Sequence, residues 1–274
     1  MTVHKLKLGE HHFAVTEEGR GEPVLMLHGF PDSARLWRHQ IPALVDAGYR
    51  VIAPDQRGFG ASDKPQEVAA YALPEVLGDA LALLDHFALE RVRVVSHDWG
   101  AAVGWALAAW HPERVERHAA LSVGHLSSLW NAGLAQRRLA WYMLLFMRQG
   151  LAEDILQRQD WQFFRDLWGH HPEMDTWLAD LARPGALTAA LNWYRANVDV
   201  DTWTEEGWVM PRVSVPTMGI WSSADIYLTE TQMVASGEYV DGPWRYERIE
   251  GATHWLMLDQ PQRITALLLD FLGA

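Results

Sequence analysis

The chain contains no cysteine among its 274 residues. This absence excludes disulfide bonds, a thiol nucleophile and a metal site built on thiolates. Disulfides are typical of oxidising compartments, so a chain without them fits an intracellular protein. We therefore expect a cytoplasmic location.

Long apolar runs and an excess of positive charge are also missing. The N-terminal segment lacks the apolar core of a signal peptide, and the apolar stretch 139–147 is too short to span a bilayer. Lys and Arg number 23 against 35 Asp and Glu, which gives a net charge of −12. This balance argues against nucleic acid and anionic membrane as main partners. No ligand spacing typical of a metal site occurs, so we expect no metal and no organic cofactor.

The chain does contain a regular alternation of short apolar segments with longer amphipathic ones. Residues 5–7 and 13–16 predict an opening hairpin, and residues 33–47 predict a helix capped by Ser33. Further on, strands and helices alternate. Such alternation implies an α/β fold, with a mostly parallel sheet covered by helices on both faces.

This alternation stops between about residues 125 and 211, where the apolar pattern is helical, and then resumes. We predict one α/β domain built from residues 1–125 and 212–274 and interrupted by a helical cap over residues 126–211. A cap would cover the carboxyl edge of the sheet, where open α/β sheets bind ligands. An independent helical domain is the alternative, and the return of the chain to the sheet weighs against it.

The segment VVSHDWGAA, residues 94–102, predicts a strand, a sharp turn and a helix that opens on small residues. This is the layout of a nucleophile elbow, in which a strained turn exposes one side chain above the sheet. Asp98 at the apex can attack an electrophilic sp³ carbon and form an ester with it. Asp is also a good helix N-cap, which is the structural alternative. A serine esterase would need Ser96 at the apex, which the spacing denies.

Hydrolysis of such an ester requires a base, an orienting carboxylate and an oxyanion hole. His254 lies on a Gly-led loop after the last predicted strand, and Asp225 follows the strand before it. Glu230 is a weaker choice of acid because it lies further into the next helix. No carboxylate directly follows the strand that ends at Gly124.

The oxyanion hole requires two backbone N–H groups, which we assign to Trp99 and Phe30. Pro31 has no N–H and would stiffen the turn that aims the donor. The Gly-rich loop 55–63 lacks the Lys-Ser/Thr pair of a phosphate loop. We interpret it as a structural loop in which Asp55 pairs with Arg57.

Taken in order, these segments resemble the motifs of the α/β-hydrolase superfamily and, within it, of the epoxide hydrolases. HGFPDS resembles the H-G-x-P turn, DQRGFGASDKP the D-x-R-G-x-G-x-S loop and SHDWGA the aspartate elbow, while MGIWSSAD and GATHW resemble the acid and base loops. The set spans nearly the whole chain. The resemblance implies two cap tyrosines that bind the epoxide oxygen and donate a proton to it. Segment 191–195, LNWYR, matches one of them in Tyr194, and Tyr142, followed by residues 150–153, GLAE, matches the other.

The resemblance therefore implies an enzyme that converts an epoxide and water to a vicinal diol through an ester on Asp98. We expect small-molecule partners only, with no nucleic acid or membrane, and a monomer or homodimer. The aromatic residues predict an apolar pocket, to which we assign Phe30, Pro31, Trp99, Trp193 and Trp255.

Two alternatives stay open. Haloalkane dehalogenases resemble this chain in the aspartate elbow, its following Trp and the base, but often carry Asn where this chain has Phe30. Fluoroacetate dehalogenases place Arg residues just after the nucleophile, where this chain has Trp99 and Ala102. A non-catalytic binding protein with a hydrolase fold is the alternative of another class.

Overall fold

One sheet organises the molecule. In the computed structural model, which describes residues 2–169, 171–201, 203 and 209–273, eight strands form this sheet in the order β1-β2-β4-β3-β5-β6-β7-β8. They are β1 (Thr2–Leu8), β2 (His11–Gly19), β3 (Glu22–Leu27), β4 (Tyr49–Pro54), β5 (Val92–His97), β6 (Val115–Leu121), β7 (Thr217–Ser222) and β8 (Trp244–Ile249). The predicted opening hairpin is β1 with β2, which pair antiparallel. From β4 to β8 along the sheet, neighbouring strands are parallel.

Helices cover the sheet and form the segment between β6 and β7. They are α1 (Gln40–Asp46), α2 (Leu73–His86), α3 (Trp99–Trp110), α4 (Leu126–Trp130), α5 (Gly133–Leu139), α6 (Tyr142–Phe146), α7 (Leu151–Leu167), α8 (Met174–Leu181), α9 (Ala186–Asn197), α10 (Glu230–Val234), α11 (Leu256–Asp259) and α12 (Pro261–Gly273). α1 packs with α12, and α2 packs with α3, against the two faces of the sheet. Parallel strands covered in this way are apolar throughout, as β3 is at 24–27. The predicted α/β fold is confirmed.

The helix predicted over residues 33–47 is in fact two elements. A 3₁₀ turn covers Ala34–Trp37, and α1 begins only at Gln40. Pro42 explains the restart, because proline is tolerated in the first turn of a helix and not in its interior. The side chain of Ser33 makes no capping hydrogen bond. Instead, Asp55 Oδ1 accepts the N–H of Ala34 at 2.9 Å.

The pairing of Asp55 with Arg57 was wrong. The guanidinium of Arg57 binds Asp79 on α2, with Nε 2.7 Å from Oδ2. Asp55 also accepts the N–H of Ala61 at 2.8 Å, so its carboxylate ties together two loops. The side chain of Arg57 points away from Asp55 and toward α2.

The helical segment between β6 and β7 lies on the loops that follow β3 and β4. Trp177 Nε1 donates to Asp32 Oδ2 at 2.9 Å, and Trp193 Nε1 donates to the carbonyl of Arg57 at 2.9 Å. Asn197 accepts the N–H of Leu73 at 2.7 Å. Because loops that follow parallel strands gather at one edge, these bonds seat the segment over the carboxyl edge of the sheet.

The predicted domain limits partly fall outside the described residues. Met1 and Ala274, the outer ends of the two predicted core segments, are among these, as are His170, Thr202 and residues 204–208 within the predicted cap. Among the helices that the structure describes, none has both the length and the apolarity needed to traverse a bilayer.

Candidate active site

Asp98 occupies the sharp turn between β5 and α3. Its backbone has φ 52° and ψ −123°, a sparsely populated conformation for a residue with a side chain. Gly100 allows the turn to approach β3, since a Cβ there would lie 2.3 Å from the carbonyl oxygen of Leu27. Asp98 stands at the N-cap position of α3, but its side chain makes no capping bond to the helix. The carboxylate is turned instead toward the carboxyl edge of the sheet.

A backbone N–H group holds this carboxylate: Phe30 donates to Asp98 Oδ1 at 2.7 Å. The backbone N–H of Trp99, the next residue in the chain, also helps to lower the pKa of Asp98. Gly29 makes the approach possible, because a Cβ at that position would lie 2.2 Å from Asp98 Oδ1. Donors arranged in this way would also hold a negative oxygen that develops on the carboxyl carbon.

The imidazole of His254 lies between two carboxylates. Its Nδ1 is 2.8 Å from Asp225 Oδ2, and its Nε2 is 3.5 Å from Asp98 Oδ2. Asp225 is itself oriented, because its Oδ1 accepts the N–H groups of Tyr227 and Leu228 at 2.8 and 3.0 Å. Glu230, the weaker sequence choice, lies elsewhere and binds Arg248.

The charges of this group are coupled. Burial lowers the pKa of His254, but the carboxylates of Asp225 and Asp98 together outweigh it and raise that pKa to about 10. Burial raises the pKa of Asp98, but the hydrogen bond and charge of His254 outweigh it and lower that pKa. At neutral pH the resting site therefore favours the imidazolium form of His254 beside an ionised Asp98.

Two residues that the sequence reasoning missed hold the backbone of His254. Its carbonyl oxygen accepts from Ser122 Oγ at 2.9 Å and lies 3.0 Å from His97 Nε2. Burial, followed by the nearby His254, lowers the pKa of His97 to about 3, so this ring is neutral. Ser122 directly follows β6, after which the sequence offers no nearby carboxylate, and it has an unusual φ of 68°. A small polar residue after a buried strand was the available signal.

Two tyrosines approach the site from the helical segment. Tyr142 on α6 and Tyr194 on α9 are 6% and 2% exposed, and their ring centroids are 6.2 Å apart. The ring of Tyr194 also meets that of Trp99 at 5.1 Å. Burial, with the nearby Asp98 carboxylate as a further cause, raises the pKa of both phenols well above their usual range. Both hydroxyls therefore stay protonated and can donate.

A cavity of about 540 Å³ joins these groups. Asp98, His254, Tyr142 and Tyr194 all line it, and most of its other walls are apolar. Its lining side chains are those of Leu73, Asp98, Trp99, Ala102, Val123, Leu126, Leu129, Trp130, Tyr142, Met143, Tyr194, Ala196, Asn197, Val198, Asp199, Tyr227, Leu228 and His254.

Of the five predicted pocket residues, Trp99 lines the cavity and the other four do not. Phe30 and Pro31 are buried, and Phe30 contributes its backbone N–H rather than its ring. Trp193 and Trp255 each adjoin a site residue in sequence, and neighbours on a helix or turn point in different directions. Trp193 turns toward the carbonyl of Arg57, and Trp255 packs on Trp177 at a centroid distance of 4.4 Å.

Tyr227 is a third tyrosine of the cavity that the sequence reasoning missed. Its ring meets that of His254 edge-on at 5.4 Å. Its hydroxyl donates to the carbonyl of Leu167 at 2.9 Å. The Tyr227 hydroxyl therefore does not donate its proton toward Asp98. Its place two residues after Asp225 was the available signal. Tyr227 therefore serves as a wall of the cavity.

Comparison with known proteins agrees with this architecture. The sequence matches the family described as alpha/beta hydrolase fold over residues 22–261. It is 36% identical to epoxide hydrolase A of Mycobacterium tuberculosis, in a match that covers 94% of this chain and 93% of that protein. It is 32% identical to the AB hydrolase superfamily protein YfhM of Bacillus subtilis, with 95% and 93% covered.

Solved structures give the same result. One, among novel epoxide hydrolases from metagenomes of hot environments, aligns with a TM-score of 0.88 at 31% identity, covering 99% of this chain and 98% of that one. Epoxide hydrolase A from Mycobacterium thermoresistibile aligns with a TM-score of 0.83 at 29% identity, with 100% and 98% covered. The chain therefore belongs to the α/β-hydrolase superfamily. Within that superfamily it is a member of the epoxide hydrolase family.

Proposed function

We propose that this protein hydrolyses epoxides to vicinal diols through a covalent ester on Asp98. The observation that carries the proposal is the meeting of a nucleophilic carboxylate, a His–Asp pair and two protonated phenols in one cavity. The epoxide hydrolase relatives support the same reaction. Small-molecule epoxide and water are then the partners.

In the first step the substrate lies between Asp98 and the two tyrosines. Phe30 holds Oδ1, which leaves Oδ2 of Asp98 as the attacking atom. Oδ2 forms a bond to one ring carbon, and the bond from that carbon to the epoxide oxygen breaks. The oxygen takes a proton from a phenol of Tyr142 or Tyr194. Such a general acid contributes typically 10²–10⁴-fold in rate.

In the second step water hydrolyses the ester. His254 Nε2 takes a proton from the water, whose oxygen bonds to the carboxyl carbon of Asp98. The N–H groups of Phe30 and Trp99 stabilise the resulting oxyanion, and Asp225 stabilises the imidazolium. The bond to the diol oxygen then breaks, and the diol oxygen takes the proton from His254. The second proton of the water passes from the Asp98 carboxyl group to His254, which restores the imidazolium and the Asp98 carboxylate, now with one oxygen from water.

The charges explain how one histidine serves both states. In the resting site the Asp98 carboxylate favours the imidazolium form of His254. Once Asp98 is an ester, that negative charge is gone and the pKa of His254 falls. The proton that His254 loses passes to the tyrosine that became a phenolate in ring opening, and its hydroxyl is restored. Ester formation itself thus converts His254 into a base.

Dehalogenation is the second candidate, because it would use the same carboxylate and base. The two tyrosines favour the epoxide. A halide leaves without a proton, whereas an alkoxide is a poor leaving group and requires an acid on its oxygen. The buried, protonated hydroxyls of Tyr142 and Tyr194 lie in the cavity of Asp98, and halide release would not require them.

The remaining sequence predictions belong to this proposal. Residues 126–211 act as a cap, and the hydrogen bonds of Trp177, Trp193 and Asn197 to core loops support that role. A cytoplasmic location and a monomer or homodimer stay predictions. The reaction as written requires neither a metal nor an organic cofactor.

The test is to trap the ester. His254→Gln should retain the nucleophile but lose the base. With styrene oxide, 1,2-epoxyhexane and phenyl glycidyl ether, intact-mass spectrometry should reveal an adduct equal to the whole epoxide in at least one case. The control is His254→Gln combined with Asp98→Asn, which should form no adduct. Turnover of an epoxide by the wild type without any such adduct would refute the covalent route, and a haloalkane adduct lacking the halogen would favour dehalogenation.

A further inference from the structure

Arg195 lies beside Tyr194 on α9 and connects it to the other tyrosine helix. Its Nε donates to the carbonyl of Phe146 at 2.8 Å, at the end of α6. Phe146 is one helical turn from Tyr142. A single side chain therefore links the end of α6 to α9, the helices that carry the two phenols.

Glu153, in the first turn of α7, holds the guanidinium in place. Arg195 Nη1 and Nη2 lie 2.8 and 2.9 Å from the two carboxylate oxygens of Glu153. Glu153 also accepts the N–H of Gly150 at 2.8 Å and the hydroxyl of Thr188 at 3.0 Å. A two-point Arg–carboxylate contact fixes orientation as well as distance.

This ion pair is largely buried, which makes it a defined contact. The side chains of Arg195 and Glu153 are 5% and 14% exposed. Burial raises the pKa of Glu153, but the bonds from Arg195 and its other donors outweigh it and lower that pKa. Glu153 is therefore ionised at neutral pH, and its contact with the guanidinium is an ion pair.

The aromatic packing explains why the link would matter for the tyrosines. The ring of Phe146 lies 4.9 Å from that of Tyr194 and 5.4 Å from that of Tyr142. The rings of Tyr142 and Tyr194 also contact each other, so Phe146 packs against both members of the pair. The Arg195 hydrogen bond to the Phe146 carbonyl thus holds a residue that supports both phenols.

We infer that Arg195 and Glu153 are positioning residues that set the placement of Tyr142 relative to Tyr194 and thereby the rate of epoxide ring opening. This inference rests on the proposed function. Neither residue is among the described side chains that line the cavity, so both act through the tyrosines. The groups assigned to ester hydrolysis lie on the sheet side. Loss of the link should therefore slow ring opening and leave ester hydrolysis unchanged.

The experiment measures both steps in a single turnover. Enzyme in excess is mixed with one of the three epoxides, quenched over time, and the adduct on Asp98 is followed by intact mass. Arg195→Lys keeps the charge but loses the two-point contact, and Glu153→Gln removes the charge of the partner. Because small misplacements can slow a reaction 10²-fold, we expect adduct formation to slow roughly 10- to 100-fold. Adduct decay should change less than about twofold.

Two further variants separate positioning from instability. Thr188→Val removes only one bond to Glu153, and should slow adduct formation less than Arg195→Lys does. Arg165→Lys is the matched control, since Arg165 forms an ion pair with Asp175 at 2.9 Å that is more exposed. It should alter neither step. In a Tyr142→Phe background Arg195→Lys should have a smaller effect, because only one phenol then remains to be placed.

The outcomes are distinct. If the wild type converts none of the three epoxides and forms no adduct, the proposed function fails. If the wild type forms the adduct, but Arg195→Lys and Glu153→Gln leave its formation unchanged or slow both steps equally, the positioning role is overturned. Slower formation with unchanged decay supports it.

Discussion

The Nε2 atom of His254 lies 3.5 Å from Oδ2 of Asp98. The His254 side chain is 5% exposed and the Asp98 side chain 15% exposed, so each strongly affects the charge of the other. The pKa of His254 is raised to about 10 and the pKa of Asp98 is lowered. Four predictions test this contact, the two phenols, the Phe30 loop and the buried carboxyl group of Asp32.

The first concerns the charge coupling itself. Asp98→Asn removes the negative charge and retains the shape of the side chain, so the pKa of His254 should fall by at least about one unit, since opposite charges shift a pKa by 1–3. NMR of ¹⁵N-labelled imidazole rings measures this titration. His97 is the internal control and should stay neutral, because its pKa is held at about 3. A His254 titration that is identical in wild type and variant would disprove the coupling.

The second concerns the phenols. Tyr142→Phe or Tyr194→Phe should each lower the rate of adduct formation by roughly 10- to 100-fold, and the double variant by more than about 10³-fold. Tyr246→Phe is the control, because Tyr246 lies on the edge strand β8 and its hydroxyl donates to Glu230 of α10. It should react at the wild-type rate. Rapid adduct formation in the double Phe variant would exclude the phenols as the acid.

The third concerns the approach of the Phe30 loop to Asp98. In Gly29→Ala the new Cβ would meet Asp98 Oδ1 at 2.2 Å, so the N–H of Phe30 must move away. Loss of one oxyanion donor typically lowers kcat by 10²–10³-fold, and steady-state kinetics should detect a loss of about this size. Gly78→Ala is the control.

Gly78 lies within α2, and a Cβ there meets nothing within 4 Å. Its replacement should retain activity and stabilise the fold by about 0.5–1 kcal/mol, because alanine favours the helix. Full activity in Gly29→Ala would show that the close approach is not required.

The fourth concerns Asp32, which accepts from Trp177 of the helical segment. Burial raises its pKa to about 7. The folded state then binds a proton that the unfolded state releases, so wild-type stability declines as the pH rises from about 4 to 7. Asp32→Asn lacks this titrating carboxyl group. The free energy of unfolding of the variant, relative to that of the wild type, should therefore increase across that range by at most roughly 1.4 kcal/mol per pH unit. Urea unfolding at several pH values measures it, and a constant difference would contradict the shift.

Much of the fold could be predicted because its signals are local. Apolar runs, turn residues and the small residues after Asp98 predicted the strands, the elbow and the alternation. The helix over 33–47 was the exception, since Pro42 restarts it at Gln40. That signal was present in the sequence.

Side-chain direction was harder to predict. Trp193 and Trp255 adjoin site residues, yet both point away from the cavity. Arg57 binds Asp79, which is 22 residues away, rather than Asp55, which is two residues away. The roles of Ser122 and His97 depend on the carbonyl of His254, more than 130 positions further along the chain. No local pattern marks such pairs.

The amino-acid order alone determined which residues end strands, which turn is strained and which side chains carry chemistry, because these properties depend on near neighbours in the chain. Only the tertiary structure decided which of them meet. The N–H of Phe30 reaches Asp98 across 68 positions, and Arg195 reaches Phe146 across 49. Contacts at such separations arise from the packing of whole elements, and they decide the protonation and the direction of each group in the cavity.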